Sequence, residues 1–198
     1  MPELDCPSTF TPRQQDDLLR LARDAIERGL RHGTCVPVDH ADDPELAQPS
    51  GAFVTLYVAG ELHGCIGSIE PVRPLAAEVA RCAYAAAFED PRFPPLRPEE
   101  LDELDIRISV LHPPRTMVVA DEADLLRQLR PGVDGLVLED PPTGRRSTFL
   151  PAVWEKLADP HEFVTQLKLK ARLRADEWPT TLRWSRYTAE SIPAAAPS

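Results

Sequence analysis

The stretch from Gly51 to Ile66 constrains the chain more than any other. Gly51-Ala52-Phe53-Val54-Thr55-Leu56-Tyr57-Val58 is rich in β-branched and aromatic residues. Ala59-Gly60 offers a turn, and Glu61 to Ile66 can return as a second strand, so the segment predicts a β-hairpin. Plain alternation would put Leu62, Gly64 and Ile66 on one face and Glu61, His63 and Cys65 on the other. A thiol and an imidazole would then share a face, with Cβ atoms roughly 6–7 Å apart, about two strand rises. Gly64 and Gly67 carry no Cβ, which lets backbone bend or a ligand approach closely. Backbone N–H groups freed by a bend after Cys65 would suit an anion or an oxyanion. The competing reading is structural: cysteine is among the most buried residue types, and glycines beside a strand often mark a bulge or turn.

A second cluster follows a helical stretch. Leu75, Val79, Cys82, Ala83 and Ala86 recur at helical spacing between Pro74 and Glu89 and predict a helix over the sheet that carries Cys65. Glu89-Asp90-Pro91-Arg92-Phe93-Pro94-Pro95 must break that helix. In one reading, Arg92 binds a carboxylate or phosphate in a fork, with Asp90 orienting it or His63. In the other, Asp90 caps and Arg92 pairs with a carboxylate to pin the loop.

Elsewhere the chain alternates short helices and strands. Thr11-Pro12 with Gln14 reads as a capping box opening a helix. Its apolar stripe is Leu18, Leu21, Ala22, Ala25 and Ile26, and it ends between Gly29 and Gly33. Asp39, Asp42, Asp43 and Glu45 lie among prolines without the spacing of a calcium loop and read as solvated. Strands are expected at Asp105–Leu111, Gly135–Leu138, Arg146–Leu150 and Thr181–Thr188, and capped helices at Asp121–Leu129 and from Asp159-Pro160-His161-Glu162. His161 reads as an exposed neighbour of that cap. The Ala/Pro-rich end from Ile192 reads as a frayed tail.

Composition excludes several function classes. The chain of 198 residues carries 22 basic and 32 acidic residues, a net charge of −10, which opposes bulk attraction to nucleic acid or anionic membrane. Lys168, Lys170, Arg172, Arg174, Arg183 and Arg186 cluster late in the chain and read as a solvated helix face followed by a strand edge. Cys6, Cys35, Cys65 and Cys82 have no zinc-site or redox-motif spacing, so neither metal nor cofactor is expected. With no basic, apolar leader and no long apolar run, a cytoplasmic protein with reduced thiols is expected.

The same stretches, taken together, resemble the AMMECR domain family, also called AmmeMemoRadiSam system protein A. The resemblance is carried by Gly51-Ala-Phe-Val-Thr-Leu56, Leu62-His-Gly-Cys-Ile-Gly67, Pro74-Leu75, Asp90-Pro91-Arg92-Phe93-Pro94 and Glu100-Leu101. It continues through Ile106-Arg-Ile-Ser-Val-Leu111, Phe149-Leu150-Pro151, Phe163, Lys170-Ala171 and Trp178. It implies an α+β fold, a single domain over residues 11–190 with a larger and a smaller lobe and a mixed or antiparallel sheet covered by helices. Residues 1–10 would form an arm and 191–198 a tail. Two departures stand out. The family's Leu-Arg-Gly-Cys-Ile-Gly has His63 in place of arginine, which makes any cation there pH-dependent. The family's Lys-Ala-Gly-Leu has Arg172 where glycine would suit a helix end.

Two functions follow as expectations. In the first, the chain is a cysteine-dependent transferase or hydrolase, or an accessory subunit. Cys65 is its nucleophile, His63 the base or charge partner, and Gly64, Gly67, Asp90 and Arg92 hold a small anionic substrate. The resemblance implies a Memo-like protein and a radical SAM protein as partners. In the second, the loops around Cys65 and Arg92 form a non-catalytic ligand- or protein-binding module. Nucleic acid and membrane are not expected as partners.

Overall fold

The computed structural model describes residues 9–35 and 43–193. Cys6, Asp39 and Asp42 lie outside them, as do most of the expected arm and the end of the tail. The chain divides into two compact units, Met1–Leu111 with Glu190–Ser198, and His112–Ala189.

The first unit is built on the hairpin. Strands β1 (Gly51–Val58) and β2 (Glu61–Ser68) pair antiparallel, and β1 pairs on its other side with antiparallel β3 (Leu104–Leu111). A short strand β8 (Ala189–Ile192) completes the order β2-β1-β3-β8, which leaves β2 on an edge. One face is apolar: Val54, Leu56, Ile106 and Ile108 are buried with helices α1 (Pro12–His32) and α2 (Leu75–Phe88). Helix α1 starts as its sequence requires, with the Thr11 hydroxyl accepting from Gln14 N–H and the Gln14 side chain accepting from Thr11 N–H. It runs past Gly29 to Gly33, a left-handed cap with φ 69°. Gly29 stays inside the helix because Tyr84 and Phe88 of α2 occupy the space a side chain would need. Asp43 anchors a turn: its carboxylate accepts from the Gln14 side chain and from the N–H groups of Glu45 and Leu46, which holds its pKa below the usual value.

The second unit holds a separate sheet, β4 (Arg115–Met117), β5 (Gly135–Asp140), β6 (Arg145–Phe149) and β7 (Arg183–Tyr187), in the order β4-β7-β5-β6. Its pairings are antiparallel. Helices α3 (Glu122–Gln128) and α4 (Pro160–Lys170) pack Leu125, Phe163, Val164 and Leu167 into its core. Trp154 stacks on Phe163 at 3.8 Å and donates from Nε1 to the carbonyl of buried Asp134 at 2.7 Å.

The α+β fold with antiparallel pairing and covering helices is as expected, its strands falling in two sheets because β3 and β5 pair with different neighbours. Two expectations are corrected. Lys168 is not on a solvated face. Its side chain is 1% exposed, and Nζ donates to Glu122 Oε2 at 2.9 Å and to the Ala175 carbonyl beside Trp178. Ser191 and Ile192 belong to strand β8 rather than to a tail, with Ile192 buried in the first unit's core. His161 is exposed, as its sequence suggested, with Nε2 3.4 Å from Glu122. Arg172 adopts φ 61° just after α4, the conformation glycine would take without strain. Among the described residues, no helix is long and apolar enough to cross a membrane, and no three His, Cys, Asp or Glu residues are placed to hold a metal ion.

Candidate functional site

Cys65 sits at the middle of edge strand β2, opposite Thr55 of β1. The Thr55 hydroxyl donates to Cys65 Sγ at 3.2 Å, and the cysteine is partly exposed. An edge strand leaves alternate N–H and C=O groups without a ladder partner. At Cys65 both outward groups are taken by side chains of the loop after α2. Its N–H donates to Asp90 Oδ2 at 2.9 Å, and its carbonyl accepts from Arg92 Nη2 at 3.1 Å. Asp90 and Arg92 together replace the missing neighbouring strand at this one residue.

The pair is itself tightly made. Arg92 Nε donates to Asp90 Oδ1 at 2.9 Å and Nη2 donates to Oδ2 at 2.6 Å, a side-on fork. Arg92 N–H adds a third bond to Oδ1 at 3.1 Å. The Asp90 side chain is 0% exposed, while that of Arg92 is 56% exposed. The Arg92 hydrogen bonds, and after them the N–H of Cys65, hold the Asp90 carboxyl far below the usual carboxylate range. Arg92 is pushed up in turn, first by its bond to Asp90 and also by the charge of Cys65 when that is ionised. The loop therefore pins itself to the strand, while Arg92 still presents its outer end to solvent.

His63 is not where alternation would place it. The register breaks between Leu56, which pairs with Gly64, and Tyr57, which pairs with Leu62. His63 is the extra residue of a β-bulge, and Leu62 moves to the face of Tyr57, Thr55 and Cys65. The shared-face geometry expected for imidazole and thiol is replaced by this bulge. The His63 ring lies 6.3 Å from the Phe93 ring at an interplanar angle of 24°, and Arg92 lies over the same phenyl ring. His63 is 9% exposed, and its Nε2 is buried without a hydrogen-bond partner among the described residues.

The two glycines meet packing demands. A Cβ at Gly64 would fall 2.1 Å from the carbonyl oxygen of Ala86, so the strand needs glycine to let the α2 backbone approach. A Cβ at Gly67 would fall 2.3 Å from Cγ of Phe53, whose ring covers that position. The Asp90 side chain has no exposed surface to offer a ligand, and its oxygens are taken by the N–H of Cys65 and by Arg92. Of the residues singled out from sequence, Cys65, Asp90 and Arg92 are brought together; His63 approaches the same loop through Phe93.

The other described cysteines differ. Cys82 is buried beside Glu78, and burial followed by the Glu78 charge pushes its thiol up to about 12. Cys35 is exposed after α1, with its pKa raised by partial burial and then by Glu89.

Two residues in the same cross-strand row as Cys65 escaped the sequence reading. Thr55 looks like any half-buried strand residue, and Arg107 like any polar position of a strand. Their register across β1 reveals them.

An α+β fold whose edge strand presents a partly exposed cysteine framed by a buried aspartate and its half-exposed arginine partner defines the class. The AMMECR1 family model matches residues 19–192, and the chain belongs to that family. It is 40% identical over 171 residues to a protein of Methanothermobacter thermautotrophicus, covering 84% of this chain and 88% of the relative. It is 42% identical over 181 residues to a protein of Thermococcus gammatolerans, covering 87% and 86%. The crystal structure of an uncharacterised protein from Pyrococcus horikoshii aligns with a TM-score of 0.78 and 35% identity, over 88% of each chain.

Proposed function

We propose that the β2 edge is the working site of a cysteine-centred transferase or hydrolase, or of an accessory subunit carrying the same thiol. It acts in a modification pathway with Memo-like and radical SAM proteins as partners. The partners come from the family resemblance alone. The observation that carries the cysteine reading is the frame around Cys65, whose N–H and C=O are each bonded to the Asp90–Arg92 pair while the residue stays partly exposed and its Sγ accepts from the Thr55 hydroxyl. The fixed backbone and the Thr55 hydrogen bond together restrict where the sulfur points, and orientation is what a nucleophile needs most. In the reaction, sulfur forms a bond to an electrophilic carbon and the leaving group departs with its electron pair. The thiol proton passes to solvent. Water or a second acceptor then takes the group from sulfur and regenerates the thiol. Gly64 and Gly67 let the strand sit where this is feasible, and His63 braces the Phe93 side of the loop.

The test is alkylation of the folded chain with iodoacetamide near neutral pH, with each cysteine followed by peptide mass spectrometry. Cys65 is expected to react well ahead of Cys82 and faster than exposed Cys35. Inertness of Cys65 until the chain unfolds would exclude it as a nucleophile in this state.

A second reading, a non-catalytic binding module, draws on the buried, unpartnered Nε2 of His63 and the commitment of Asp90 to internal bonds. Co-expression with Memo-like and radical SAM proteins separates the two. A complex that survives Cys65→Ser but is lost in Phe93→Ala, with cellular function intact in Cys65→Ser, favours the module.

A further inference from the structure

We infer that Arg107 selects the substrate of the Cys65 site, and that this substrate is a small electrophile carrying a carboxylate or phosphate. The inference rests on the cysteine reading and deepens it. Thr55 pairs with Cys65 on one side and with Arg107 on the other, so the three residues form one row across β2, β1 and β3. Directly paired residues share a face of a sheet. Val54, Leu56, Ile106 and Ile108 occupy the opposite face, buried with α1 and α2. Thiol, hydroxyl and guanidinium therefore stand together on the face turned away from the helices. Two strand spacings separate the Cys65 and Arg107 backbones by roughly 10 Å, and the Arg107 side chain turns along the sheet toward Asp105 and the ring of Tyr57, two residues from Thr55 on β1.

The Arg107 guanidinium is held in place. Nε donates to Asp105 Oδ2 at 3.1 Å, Nη2 lies 3.0 Å from the same oxygen, and Cζ lies 4.6 Å from the Tyr57 ring centroid. Its side chain is nevertheless 59% exposed. Pairing through the Nε–Nη2 edge leaves the Nη1 end open among the described residues, and a planar fork suits the oxygens of carboxylate or phosphate. Arg92 repeats the arrangement on the other side of Cys65, with Asp90 in the place of Asp105. Cys65 thus has one arginine bonded to its own carbonyl and a second in its cross-strand row, each paired with a carboxylate two residues away. Because Asp105 offsets the Arg107 charge, recognition here is by directed hydrogen bonds, which suits a chain whose net charge is −10.

The experiment compares iodoacetate with iodoacetamide on the full chain. Both form a bond between sulfur and carbon and expel iodide; they differ in one negative charge. The rate ratio at Cys65, normalised to the ratio at exposed Cys35, is expected to favour iodoacetate. Arg107→Gln should lower that normalised ratio on the order of tenfold, the loss of one charge-assisted hydrogen bond, and leave the iodoacetamide rate within about twofold. Arg107→Lys should restore part of the preference. Inorganic phosphate should slow iodoacetate at Cys65 in the native chain and not in Arg107→Gln. If iodoacetamide still modifies Cys65 but the ratio ignores Arg107→Gln, the assignment of Arg107 is wrong and the cysteine reading stands. If neither reagent modifies Cys65 in the folded chain, both fail.

Discussion

Replacing Asp90 by asparagine tests the frame around Cys65 most directly. The buried carboxylate accepts four hydrogen bonds: Cys65 N–H and Arg92 Nη2 at Oδ2, Arg92 N–H and Nε at Oδ1. Asparagine keeps the shape but offers one acceptor oxygen, so its amide group must face two donors. The Arg92 side chain is half exposed and can turn to water, so its share of the loss is below about 1 kcal/mol. Whichever way the amide turns, one backbone N–H, that of Cys65 or that of Arg92, loses its acceptor while the loop stays in place, and an orphaned buried donor costs about 1–3 kcal/mol. Together the change should destabilise the first unit by about 1–4 kcal/mol, a fall of roughly 0.5–2 M in urea midpoint.

Two probes localise the effect. Trp154, Trp178 and Trp184 all lie between His112 and Ala189, so tryptophan fluorescence follows the second unit. The long helices α1 and α2 lie in the first, so far-UV circular dichroism is weighted toward it. The dichroism midpoint should fall in Asp90→Asn; a fluorescence midpoint that falls with it would mean the units unfold together. The pH dependence has a definite sign. Because the folded-state pKa of Asp90 is depressed, its contribution is complete above the unfolded carboxylate value of about 3.9 and fades as pH falls through the lower folded value. The gap between native and variant chains should hold from neutral pH to about pH 5 and close only in stronger acid. An Asp90→Asn midpoint equal to that of the native chain at neutral pH would refute the frame.

Two further substitutions probe local backbone demands. Gly64→Ala would put a methyl 2.1 Å from the Ala86 carbonyl oxygen, and backbone on both sides must shift; a loss of about 3 kcal/mol or a collapse in soluble yield is expected. A stability within about 0.5 kcal/mol of native would show that α2 yields freely. Arg172→Gly removes a side chain from a left-handed residue at φ 61° and should stabilise the chain by about 1 kcal/mol, raising Tm by a few degrees in scanning calorimetry. A lower Tm would mean that the arginine side chain makes contacts worth more than the strain.

What could be read from sequence, and what could not, divides by the range of the interaction. The Thr11 capping box, the β1–β2 hairpin and the α2 stripe depend on residues near each other in the chain, and each formed where its pattern lay. Arg172 belongs with them, since a glycine position beside a helix end is a local demand. The bulge at His63 does not. It adds one residue without altering composition, so alternation counted from Glu61 assigns Leu62 to the wrong face, and the error is invisible until Leu56 and Tyr57 supply the register. Gly64 was legible as a close approach but not as one to Ala86, which a helix fold brings in from a distant segment. Lys168 looked solvated because neither Glu122 nor the Ala175 carbonyl can be paired with it by spacing. Ile192 looked like tail because alanine and proline follow it, yet β3 offers an edge and the first core a place for its side chain. The candidate site follows the same rule. Asp90 and Arg92 could be picked out as a pair because they are two residues apart, whereas Arg107 became part of the Cys65 row through two successive strand pairings. A site on a sheet face is written across strands rather than along them, so its members are named by register, and register is the property that one extra residue in β2 is enough to change.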